Sequence, residues 1–152
     1  LNTRQRFLLR EMGELHMTEA QVMNEFYSFM ISNSLYNIGG LFLLWVAFRA
    51  AVRINDEGAP LLNKIVVTVF GISVVAINLQ TQGYLEWVIQ GTVNELATLA
   101  SLSPSGQSFV DTFGVTESAN ASLIPTNPLF IVFWLSATLM FLGSVWTEKK
   151  TG

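Results

Sequence analysis

Three stretches of this chain are apolar for long enough to cross a bilayer. A hydrocarbon core about 30 Å thick needs roughly 20 apolar helical residues. The first stretch runs over about 29–48 and is densest from Gly39 to Phe48 (GGLFLLWVAF). The second covers about 65–87, opening with IVVTVFGISVVAINL after Lys64 and becoming more polar from Gln80 onward. The third is 128–146, PLFIVFWLSATLMFLGSVW. The pattern therefore predicts an all-α integral membrane protein with three transmembrane helices.

The boundaries fit that prediction. Asn55-Asp56-Glu57-Gly58-Ala59-Pro60 reads as a turn, with Pro60 set to open the second helix. Asn127 before Pro128 is the expected N-cap of the third span. Between the second and third spans lies a long loop, 88–127, expected to be partly helical. Val88–Leu102 has helical spacing and extends the second span. Ser103-Pro104-Ser105-Gly106 breaks it, Gln107–Phe113 suggests another short helix, and Val115–Pro125 reads as irregular.

Ahead of the first span the periodicity changes. Leu8, Met12, Leu15, Val22, Met23 and Phe26 share one helical face, with a soft break at Gly13. Thr18-x-x-Gln21 matches a capping box that restarts the helix. Residues 1–27 are thus expected to form an amphipathic N-terminal arm, and 28–150 the transmembrane domain. The arm's basic residues are matched by acids, which favours docking on a protein over anionic lipid. The chain opens on Leu1 rather than Met, so a processed or trimmed start, or a part of a longer product, is expected. A secretory signal peptide is not, for want of a compact apolar region after its arginines.

Charge adds the orientation. Of the 152 residues only 12% are charged, and from 65 to 148 there is no Lys or Arg. Arg49, Arg53 and Lys64 flank the first loop, and Lys149 and Lys150 follow the third span. The positive-inside rule places the first loop and the C-terminus in the cytoplasm, and the N-terminus and the long second loop outside. Arg4, Arg6 and Arg10 oppose this mildly. The net charge of −3 gives no reason to expect nucleic-acid binding.

Candidate chemistry is sparse. The chain has no cysteine, which excludes disulfides and thiolate metal sites, and one histidine, His16, beside Glu14 and Glu19. A lone histidine among acids is a weak metal candidate, at most one ligand of a metal shared with another chain. No nucleotide-binding or zinc-protease motif is present, so enzymatic activity is not expected of this chain alone. Asn120-Ala121-Ser122 is a glycosylation sequon.

The site candidates are polar residues within the spans. Asn33 and Asn37 lie one turn apart and share a face with Gly40. Asn78, Gln82 and Glu86 repeat every four residues on the second span. Amides in hydrocarbon must find partners, so these residues either pack helices together or line a polar path. The leading expectation is a non-catalytic, structural or accessory subunit of a larger membrane complex, with other membrane subunits and the bilayer as partners. The alternative is a homo-oligomeric pore or small transporter subunit lined by the amides. No cofactor is implied by this chain alone. A bound lipid, quinone or hydrophobic pigment stays open, because such ligands are held by apolar surface.

Overall fold

The computed structural model describes residues 17–116 and 124–147. Four helices follow one another: α1, Glu19–Asp56; α2, Leu61–Ala97; α3, Pro104–Phe113; and α4, Pro128–Trp146. There is no strand among the described residues. Helices α1, α2 and α4 are each long and apolar enough to cross a membrane. The chain is an integral, multi-pass membrane protein in this sense.

Local chemistry sets each helix end. Thr18 and Gln21 close the capping box: Thr18 N donates to Gln21 Oε1 at 2.8 Å, and Gln21 N donates to Thr18 Oγ1 at 3.3 Å. The C-terminus of α1 is a Schellman turn, with Ala59 N on Ile54 O at 2.9 Å and Gly58 N on Asn55 O at 3.3 Å. Gly58 supplies the positive φ of 60° that this turn requires. Ser103 caps α3 and Asn127 caps α4, each followed by a proline in the first turn.

The expected amphipathic arm ending at residue 27 is not seen. Glu19 to Asp56 is one helix that carries the first apolar stretch, so its opening turns belong to the same element as the first span. The physical reason is in the sequence: between Thr18 and Gly39 there is no glycine or proline, and a helix once nucleated propagates. Leu8, Met12, Leu15, Gly13 and His16 lie outside the described residues, as do the sequon at Asn120 and the lysines at 149 and 150.

With 38 and 37 residues, α1 and α2 are each about 55 Å long at 1.5 Å per residue. That is nearly twice what the hydrocarbon core needs. Contacts divide the chain into two compact units, and the surplus turns belong to the first of them. This unit takes the described residues of 17–30 and 88–116. Val22, Phe26, Val93 and Leu96 are its buried apolar residues. Phe26 meets Phe109 of α3 edge-on at 5.3 Å. Asn94 holds the segment after α3 through both sides of its amide, donating to Thr116 O at 2.8 Å and accepting from Thr116 N at 3.2 Å.

The second unit takes 31–87 and 124–147 and holds most of the apolar length of the three spans. Leu44, Val74, Val75, Trp134 and Ala137 form one buried cluster, and Ala47, Ala51, Phe141 and Val145 form another. Small residues on α1 let the aromatic rings of α4 lie close. At the far end of α4, Trp146 Nε1 donates to Thr68 Oγ1 at 3.1 Å, and Asn55 Nδ2 donates to Thr147 O at 3.1 Å. Lys64 Nζ lies 5.9 Å from the Trp146 ring centre. The outer surface of this unit is apolar: Leu129, Leu139 and Met140 are 76%, 70% and 66% exposed. Such exposure on a helix this hydrophobic fits a lipid solvent and would be an aggregation hazard in water.

Candidate functional site

The amides of the second unit meet between α1 and α2. Helical spacing puts Asn33, Asn37 and Gly40 on the α1 face turned to α2, and Asn78 and Gln82 on the facing side of α2. Gln82 Nε2 donates to Asn37 Oδ1 at 2.7 Å. Asn37 Nδ2 donates back to Asn33 O at 3.0 Å. Asn78 Nδ2 donates to Val74 O at 2.8 Å on its own helix. The rest of the Asn78 amide lies against Gly40, where a β-carbon would overlap it. Asn33, Asn78 and Gln82 are all buried.

Glu86 does different work. It lies one turn beyond Gln82 and reaches the segment that opens α4. Its carboxylate accepts from Thr126 N at 2.6 Å, Thr126 Oγ1 at 2.7 Å and Asn127 N at 3.1 Å. These are donors just ahead of a helix start, where negative charge is favoured. The six candidate residues are therefore all found in the second unit, but they do not converge on one point. Asn33, Asn37 and Gln82 form one group, Gly40 and Asn78 a second, and Glu86 stands apart with the loop.

Sequence reasoning missed two pairings. In the second unit, Gly71 faces the tip of the Phe141 ring, and a β-carbon there would overlap the ring. In the first unit, Glu19 accepts from Ser103 N at 2.7 Å and from the Ser103 hydroxyl, while Ser103 Oγ caps Gly106 N. Glu19 lies ahead of the apolar stretch of α1. The Ser103 hydrogen bonds, side chain first and backbone second, hold its carboxyl below the usual carboxylate range. The sequence signal here was the S-P-S-G run, expected to break the helix before a short one from Gln107; α3 instead starts at Pro104 with Ser103 as its cap, and nothing in the run names the acid that reaches it.

Among the described residues no three His, Asp or Glu side chains group as metal ligands. His16, the one candidate imidazole, lies outside the described residues. Two open grooves border the amides. One, about 650 Å³, runs along α1 and α2 past Leu35, Gly39, Phe42 and Ile77. The other, about 460 Å³, is bordered by α1, α2 and the start of α4.

The Asn37–Gln82 bond makes a measurable prediction. Membrane hydrogen bonds between helices average about 0.6 kcal/mol and reach about 1.7 kcal/mol. Asn37→Leu and Gln82→Leu are each expected to destabilise the protein in detergent. The double variant is expected to lose less than the sum by an amount in that range. Strict additivity in the unfolding free energies would mean the two amides do not support one another.

Compared with known proteins, the chain matches no family model, no curated protein and no solved structure.

Proposed function

We propose that this chain is a non-catalytic structural or accessory subunit of a larger membrane protein complex. The observation that carries the proposal is the groove along α1 and α2. Gly39 sits in it with open space where a β-carbon would go. Leu35, Phe42, Leu43 and Ile77 form its apolar walls. A helix of another subunit is the occupant this shape suits, since small residues allow close helix approach and large ones interdigitate.

The use of the polar groups supports the same reading. Gln82 is bonded to Asn37, Asn78 is seated on Gly40, and Glu86 holds the start of α4. A pore lined by the same amides has less to rest on, because Gln82 donates to Asn37 across the α1–α2 interface of one chain. The proposed orientation keeps the first loop, flanked by Arg49, Arg53 and Lys64, on the cytoplasmic side, and the N-terminus and second loop outside.

Purification in mild detergent from native membranes, followed by mass measurement of the intact assembly, tests the proposal. Unrelated chains are expected to copurify in fixed ratio. Gly39→Leu is expected to release them while the purified chain keeps its helicity. A closed ring of this chain alone would overturn the reading.

A further inference from the structure

The smaller of the two grooves presents a hydrogen-bond acceptor within a slot whose walls are apolar. Its volume, about 460 Å³, falls in the range of about 300–1,000 Å³ common for small-molecule sites. The amide side chains that border it are Asn37, Asn78, Gln82 and Asn127. Most of their oxygens are taken: Asn37 Oδ1 accepts from Gln82, Asn127 Oδ1 accepts from Leu129 N, and Asn78 Oδ1 is turned onto Gly40. Gln82 is the exception. Its Nε2 is spent on Asn37, while its Oε1 accepts no hydrogen bond among the described residues. No fully buried side-chain nitrogen or oxygen there lacks a partner. The oxygen therefore keeps accessible surface, although Gln82 as a whole is only 8% exposed.

An amide oxygen without a donor is unfavourable beside hydrocarbon. Alkyl chains carry no polar hydrogen, and ester or ketone oxygens only accept, so neither meets this need. A donor on an otherwise apolar molecule does, and a hydroxyl is the smallest such group. The remaining lining suits an apolar body. Leu41, Leu129 and Phe133 border the groove and are all exposed, so they are open to an occupant arriving from the lipid.

We propose that this groove binds a lipid-soluble alcohol. The hydroxyl donates to Gln82 Oε1, and the hydrocarbon body lies along Leu41, Leu129 and Phe133. The site is independent of the subunit role above: a chain with no partner would still bind the alcohol, and a partner-bound chain need not.

The test is photolabelling of the detergent-purified chain with a diazirine-bearing long-chain alkanol, mapped by peptide mass spectrometry. Labelling of the α4 segment around Leu129 and Phe133 is expected to saturate. Unlabelled dodecanol is expected to compete, and dodecyl methyl ether, which keeps the oxygen and the chain but has no donor, to need about a tenfold higher concentration, the ratio one neutral hydrogen bond supplies. In Gln82→Leu that preference for the alcohol over the ether should vanish. The comparison of the two competitors in the native protein stands even if Gln82→Leu, which also loses the bond to Asn37, fails to fold. Leu129→Phe adds bulk at the groove from an exposed side chain and is expected to weaken labelling with helicity unchanged. Leu139→Phe, an exposed position of α4 outside the groove lining, is expected to leave labelling as it was. Labelling that never saturates would overturn the proposal. So would equal competition by alcohol and ether, which would make the groove an ordinary acyl-chain slot with its oxygen served by water.

Discussion

Gly71→Ala is expected to destabilise the protein by about 1–3 kcal/mol, the range for adding volume to a packed core, although alanine is the better helix former. Gly71 faces the tip of the Phe141 ring so closely that any β-carbon would overlap it. The ring has little room to retreat. Phe141 is 1% exposed, lies in one cluster with Ala47, Ala51 and Val145, and meets Phe48 edge-on at 5.9 Å. Displacing it would open the contact by which α4 packs on the first two helices. The same change elsewhere should have the opposite sign. Gly39 and Gly91 have nothing within 4 Å of the position a β-methyl would take, so alanine there gains up to about 1 kcal/mol of helix propensity without a clash. Unfolding in detergent by added denaturing surfactant measures all three. Phe141→Leu supplies a compensating change: it shortens the ring side chain, so Gly71→Ala should cost less in that background than in the native one. A neutral Gly71→Ala, or strict additivity with Phe141→Leu, would show that the ring does not set the spacing.

That contact also marks where sequence stops being informative. The three spans were legible because hydrocarbon admits only long runs of apolar residues whose backbone is satisfied internally, and such runs are visible without knowing any partner. The start of α4 was legible for a local reason, since Asn127-Pro128 carries its capping chemistry within two residues, whereas Ser103-Pro104-Ser105-Gly106, expected to break a helix, instead opens α3 with Ser103 as its cap. The arm boundary at 27 misled because apolar periodicity changes there while the backbone has no cause to break. Pairing across helices is another matter. Four-residue spacing puts Asn78, Gln82 and Glu86 on one face of α2, but their partners are Gly40, Asn37 and the Thr126–Asn127 backbone respectively. Periodicity gives the face and not the neighbour. Gly71 and Phe141 are 70 positions apart in sequence numbering, and nothing local in either segment points to the other.

Glu86→Ala should release the start of α4 at a cost of about 2 kcal/mol, the middle of the range for hydrogen bonds to charged groups. The carboxylate is the shared acceptor for two backbone N–H groups and one hydroxyl, all from Thr126 and Asn127. Those donors lie next to the N-cap, where Asn127 Oδ1 accepts from Leu129 N at 3.0 Å. Losing the carboxylate therefore strips the entry to the helix while leaving the cap itself in place. The site is partly open to solvent, so water can replace some of the lost bonds, and this keeps the cost near a single strong interaction rather than the sum of three. Glu86→Gln separates charge from geometry. Its side-chain oxygen can still accept from Thr126 or Asn127, but only one acceptor oxygen remains, and the favourable charge near the helix N-terminus is gone. It should fall between the native protein and the alanine variant. Amide hydrogen exchange gives the local readout. Thr126 and Asn127 are expected to exchange faster in Glu86→Ala, with Ala137 and Phe141 in the body of α4 changed only through global stability. Thr126→Val probes the hydroxyl alone and should produce a smaller loss, since both backbone donors keep their acceptor. If Glu86→Ala left exchange at 126 and 127 unaltered, the carboxylate would not be what holds α4 at its entry, and the four-residue spacing on α2 would have to be explained by some other contact.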